Sequence, residues 1–153
     1  MKSVKHENIR GSLKLLILYL LDKEELHGYA LIQKLKELFV YYKPSSGVIY
    51  PTLQSLRREE YIEVIKVEDG KKLYKITDKG KKYLKENEEK LKKIFSHVEA
   101  VRGFYEMGGK ELKESIKLVI KNFHNLNDKQ KEEIEKILKE TARKINITIW
   151  KNQ

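Results

Sequence analysis

The sequence predicts a mainly α-helical fold carrying one small β-hairpin. Two observations lead there. Apolar residues recur at steps of three and four along most of the chain, the spacing of a buried helix face. That period is broken only between Tyr61 and Ile76, where Asp69-Gly70 separates two runs rich in β-branched residues. The division falls near Thr77. Residues 1–77 alternate short pieces of both kinds, and residues 78–153 are long, charged and helical.

The first helix is expected over 11–21, with Leu13, Leu16, Ile17, Leu20 and Leu21 on one apolar face before Asp22-Lys23-Glu24-Glu25 breaks the pattern. A second runs from 28 to 39, burying Leu31, Ile32, Leu35, Leu38 and Phe39. Tyr41-Tyr42-Lys43-Pro44 ends it, because the residue before a proline is pushed out of the helical region. The third covers 46–59, with Ile49, Leu53 and Leu56 facing the core and Pro51 expected in its first turn, where a missing N–H costs nothing. Strands follow at 61–67 and 73–76 around Glu68-Asp69-Gly70. Helix, helix, helix, basic hairpin is the layout of a winged helix-turn-helix.

Thr77-Asp78 starts a helix expected over 78–105. Leu84, Leu91, Ile94, Val98, Val101 and Tyr105 form an a/d seam along it, interrupted at Asn87, and a stripe this narrow points to pairing with another helix. The region is therefore expected to hold a homodimer together. Gly108-Gly109 closes that helix. Two more follow at 110–123 and 128–150, the latter capped by Asn127 or Asp128.

At 153 residues the chain is most simply one compact unit, or a small domain with a helical extension. It contains no cysteine, which excludes disulfides and thiolate metal sites and suits a reducing cytoplasm. The apolar run from Leu15 to Leu21 is too short for a bilayer, which needs about 20 residues, so no membrane partner is expected. The basic start ahead of that run lacks a small-residue cleavage site, which argues against a signal peptide. The formal net charge of +10 favours an anionic partner, yet it is spread: +4 through Gly80 and +6 beyond it. His6, His27, His97 and His124 show no metal-ligand spacing, and no nucleophile motif or phosphate-cradling loop is present. No enzyme, metal or cofactor is expected.

Placement of side chains on the third helix carries the functional reading. At 100° per residue, Gly47, Pro51, Gln54, Ser55 and Arg58 lie opposite the core face, with Val48 and Tyr50 at its edges. A helix N-terminus attracts phosphate through its unpaired N–H groups. Ser45 and Ser46 can cap that end or donate to phosphate, and Gly47 lets a backbone approach closely. Tyr50 offers a hydroxyl to phosphate or an edge to a base, or it packs between helices. Gln54 is the candidate for bidentate contact with adenine, and Arg58 for phosphate. Lys66, Lys71 and Lys72 lie on the hairpin, either as solvated lysines or as backbone contacts.

Four pieces in register carry a resemblance. They are Gly11-Ser12-Leu13 leading into Leu16-Ile17-Leu18, His27-Gly28-Tyr29, Ser46-Gly47-Val48-Ile49-Tyr50-Pro51-Thr52-Leu53, and Tyr74-Lys75-Ile76-Thr77 with Gly80. Over about the first 80 residues the chain resembles the PadR family of transcriptional regulators. The resemblance implies that the hairpin is a wing resting on the minor groove or its phosphates, a role that fits the three lysines, and that Tyr29 meets phosphate. It also implies a small aromatic or hydrophobic effector bound between subunits. Phe95, Phe104, Tyr105, Phe123 and Trp150 are candidates to line that space, although aromatic residues at helical spacing are more often core. The family usually carries glycine where this chain has Glu60, so the third helix is expected to end in another way.

The expected function is that of a homodimeric repressor, reading a palindromic double-stranded operator through successive major grooves. Two alternatives are a winged-helix protein-interaction module and a non-specific architectural DNA binder. The first calls for exposed Leu, Phe or Met on the third helix, and the second for phosphate contacts without base readout.

Overall fold

The structure is a computed structural model describing residues 7–39 and 44–151. The helix α1 (Glu7–Lys23) begins earlier than the sequence suggests and is buried far beyond one stripe. Leu15 and Leu18 are as fully enclosed as Leu13, Leu16 and Ile17. An α-helix apolar all round needs neighbours on every side, and α1 has them. Helix α2 (Gly28–Leu38) and α3 (Ser46–Arg58) cover one flank. Helices α4 (Asp78–Glu86) and α5 (Glu88–Phe104) return over another. The end expected for α2 at Tyr41-Tyr42-Lys43 lies outside the described residues; the helix itself stops at Leu38, with Phe39 already extended.

The strands β1 (Leu26–His27), β2 (Ile62–Glu68) and β3 (Lys71–Ile76) form one antiparallel sheet in the order β1-β3-β2. Strand β1 is too short to show a period and had no sequence signal. The hairpin turns on two residues, Asp69 at φ 48° and Gly70 at φ 73°, the positive pair that a type I′ turn requires. A bulge at Ile65 shifts the β2–β3 register, so that Lys66 stands opposite Leu73 and Val67 opposite Lys72.

Helix α3 ends on a left-handed residue after all. The Tyr61 N–H donates to the Leu56 carbonyl at 2.9 Å and the Glu60 N–H to the Arg57 carbonyl at 3.0 Å, the pair of bonds that defines a Schellman ending. Glu60 occupies the glycine position of that motif at φ 62°. The expectation of a different ending is thereby corrected: the hydrogen-bond pattern, with α4 locked onto it, holds Glu60 where glycine would sit more easily.

The helix expected over 78–105 is two helices. Asn87, at φ −109° and ψ 19°, separates α4 from α5, and its side-chain amide donates to the Tyr83 carbonyl. Leu84, Leu91 and Val98, expected on a seam facing a partner, are instead buried in the same core as α1. Phe95 meets Tyr19 of α1 edge-on at 4.9 Å. Ile94, Val101 and Tyr105 remain half-buried. The sequence division at Thr77 marks the end of the wing, while the compact units divide between Met107 and Gly108.

The second unit holds α6 (Lys110–Asn122), a short 3-10 turn (Phe123–Asn125) and α7 (Asp128–Trp150). Asn127 caps α7 through a full capping box with Gln130. Ion pairs Glu132–Lys136, Glu135–Lys139 and Glu140–Lys144 run along one side of α7. Ile134, Leu138, Thr141 and Ile145 run at steps of four and three. None of the described residues of α6 or α7 is buried within this chain.

Candidate nucleic-acid interface

Helix α3 lies with Ile49, Leu53 and Leu56 in the core and its polar side open. Ser45 is the N-cap by backbone only: its carbonyl accepts from Val48 and Ile49, and its hydroxyl makes no capping bond. Ser45, Ser46, Gly47, Tyr50, Pro51, Gln54 and Arg58 are all exposed, and Val48 is half-exposed. Among the described residues, a Cβ on Gly47 would meet only the Ser45 Oγ, at 3.7 Å, an ordinary contact that does not call for glycine.

Two details differ from the sequence reading. The helix starts at Ser46, so Pro51 is its sixth residue and stands in the second turn, past the positions where proline is free. Pro51 therefore withholds the N–H that the Gly47 carbonyl would ordinarily accept. The adjacent bond is reinforced instead, with the Thr52 hydroxyl donating to the Val48 carbonyl at 2.7 Å. Ser55, expected on the open side, donates to Glu59 Oε1 at 2.6 Å, and the Lys14 ammonium of α1 donates to the same oxygen at 2.5 Å. Those two bonds hold the Glu59 carboxyl below the usual glutamate range. Glu59, oriented by Ser55, thus tethers the end of α3 to α1 through Lys14.

The other flank of α3 carries Tyr50, Gln54 and Arg57 at i, i+4 and i+7, and Arg57 escaped the sequence reading. Its signal was available in that spacing. Tyr50 and Arg57 both act on Tyr74 of β3: burial pushes the Tyr74 phenol up, Tyr50 adds to the rise and Arg57 opposes it. Tyr74 also pairs with Leu26 and Val64, so it joins both neighbouring strands to this flank of the helix.

The wing lysines divide between the two faces of the hairpin, because residues directly opposite across strands share a face. Lys66 and Lys71 lie on the face of Leu73 and Glu68, where Lys66 is ion-paired with Glu68. Lys72 lies beside Val67 on the face that continues the core. Its carbonyl stands 3.2 Å from His27 Nδ1, which ties β3 to the start of α2. Tyr29, the second residue of that helix, is 69% exposed.

The candidate effector residues are not drawn into one place within either unit. Phe95 is committed to Tyr19, and Phe104 stands 6.1 Å from Tyr105 by ring centroid. In the second unit, Phe123 lies under the Lys131 ammonium at 5.5 Å and Trp150 is exposed near the end of α7. Among the described residues no group of acidic or histidine side chains could hold a metal ion, and no helix is long and apolar enough to cross a membrane.

Residues 17–86, from within α1 to the end of α4, match the transcriptional regulator PadR-like family. A PadR-like transcription factor from Bacteroides fragilis is 32% identical, with a TM-score of 0.52 over 65% of this chain and 99% of that one. A PadR-like transcriptional regulator from Bacillus cereus is also 32% identical, with a TM-score of 0.50 over 62% of this chain and 95% of that one. The transcriptional regulator YqjI of Escherichia coli is 40% identical over 91 residues, which are 59% of this chain and 44% of that protein, so the match spans less than half of that relative's length. The four motifs, the winged fold they build and these likenesses agree: the chain belongs to the PadR-like family of transcriptional regulators, a family of regulators and not of enzymes.

Proposed function

We propose that this protein is a sequence-specific DNA-binding repressor that acts as a homodimer on a palindromic operator. The observation that carries the reading is the start of α3. An N-cap serine whose hydroxyl makes no capping bond, a second exposed serine, a glycine that no described residue crowds and an exposed glutamine share one open surface beside a lysine-bearing wing. Small and hydroxyl-bearing residues at a helix N-terminus suit close approach to a phosphate backbone, and Gln54 one turn further suits a base edge. A protein-docking face would instead present large apolar residues there.

Homodimerisation is supported by the second unit. Helices α6 and α7 leave Ile116, Leu138 and Ile145 exposed, and two helices with none of their described residues buried have little to hold them unless another surface covers them. Leu84, Leu91 and Val98 are already packed in the core with α1, so the second copy would pair through α6 and α7. Two α3 helices would then enter the major groove about 34–36 Å apart.

The test is titration of the purified protein onto its own upstream DNA and onto unrelated DNA, each at two salt concentrations. The reading expects a preference of about 10³-fold or more that survives the higher salt. Equal binding that collapses with salt would replace it with architectural binding, and no binding to either would favour a protein partner.

A further inference from the structure

We infer that Gly28 is a positioning residue for DNA recognition, which it serves by seating the ring of Tyr50 against the start of α2. The inference rests on the DNA-binding reading above and adds a residue to it. Gly28 opens α2 and is buried. A Cβ built on it would lie 2.8 Å from Tyr50 Cε1 and 3.3 Å from both Cζ and the hydroxyl oxygen. Carbon atoms do not approach to 2.8 Å, so the Tyr50 ring occupies the space that any other residue would fill at position 28. The backbone is not the reason for glycine here, because α2 is an ordinary helix from this residue on and alanine is the better helix former.

Tyr50 stands against the start of α2 while 44% of it stays exposed. Tyr74 of the central strand is near enough for Tyr50 to add to the rise in its phenol pKa. A ring seated in this way has a fixed hydroxyl position, which stands at the start of α2 beside Gly28 and the exposed Tyr29. A methyl group at position 28 would expel the ring from its seat toward solvent. The core beneath would stay enclosed, since Ile49, Leu53 and Leu56 are fully buried and Tyr50 lies at the edge of their face. The expected defect is in recognition more than in folding.

The experiment is a double-mutant cycle of Gly28→Ala and Tyr50→Ala, read by affinity for the upstream duplex and by thermal melting. Gly28→Ala alone is expected to weaken binding about tenfold or more, the size of a lost hydrogen bond to a charged group, with only a small Tm loss from the displaced ring. In the Tyr50→Ala background the same substitution should change affinity by less than about twofold, because no ring remains to be displaced. Equal losses in both backgrounds would overturn the proposal, as would an unchanged affinity for Gly28→Ala. Should the wild type bind no duplex at all, the DNA-binding reading fails and this role for Gly28 falls with it. Melting then still reads the seat itself: a Tm loss in Gly28→Ala that is absent from the double variant shows the clash, and equal losses show there is none.

Discussion

The Thr77 hydroxyl donates to the Glu60 carbonyl at 2.7 Å while its oxygen accepts the Gly80 N–H at 3.0 Å, so one side chain both caps α4 and pins the left-handed end of α3. The Thr77 N–H adds a bond to the Tyr61 carbonyl at 3.0 Å. Helix α3, the residue that leads into β2 and the helix that returns over α1 therefore meet at a single junction.

That junction makes opposite demands at two positions. Glu60→Gly should raise stability by about 1 kcal/mol, because glycine takes the φ of 62° without the Cβ penalty. Gly80→Ala should lower it by about 1–3 kcal/mol, since the new Cβ would lie 2.2 Å from the Tyr61 carbonyl oxygen and 2.7 Å from Ile76 Cγ1. Thermal or urea melts check both; a Glu60→Gly variant less stable than the parent would contradict the account of the turn.

How much of this was legible beforehand varies with the physics. The α3 face and the hairpin turn could be read, because periodicity and an Asp-Gly pair are local signals. The return of α4 and α5 onto α1 was signalled only indirectly, by Leu15 and Leu18 lying off the expected stripe of α1. A helix apolar on two sides asks for a second neighbour, and the a/d steps of Leu84, Leu91 and Val98 fit an intramolecular neighbour as well as a partner. Asn87 read as a polar gap in a seam and is a break between helices. The Gly28–Tyr50 seat joins residues distant in sequence, and no local pattern announces it.

Glu59 should give the fold a modest acid dependence. Its carboxyl is held below the ordinary value of 4.5 by the bonds from Lys14 and Ser55. A depressed folded-state value means that the stabilisation is complete above the unfolded value and is lost as pH falls through the folded one. The pair is about a third exposed, so its worth is below about 1 kcal/mol. Melting of Glu59→Gln against pH should show a small loss at neutral pH that disappears well below about pH 4.5. A loss that persists in acid would assign Glu59 another role.

Base reading and phosphate grip should separate in two variants. Gln54→Ala is expected to narrow the preference for operator over random DNA by about 1–3 kcal/mol. Lys71→Ala should weaken both DNAs alike and reduce the salt slope by about 1. Two variants with the same behaviour would contradict this division between α3 and the wing.

The second unit makes its own prediction. Leu138→Glu combined with Ile145→Glu places charges on exposed positions of α7, where this chain alone makes no burial to lose. Sedimentation should show a monomer in place of a dimer, with weaker operator binding because two half-sites are no longer linked. A retained dimer would move the interface elsewhere.

Selection of duplexes from a random-sequence pool by the purified protein tests the central claim most directly. The account predicts enrichment of an inverted repeat whose half-site centres lie about 10–10.5 base pairs apart, or a multiple of that spacing. Retention of DNA without any enriched sequence, or failure to retain DNA, would contradict it.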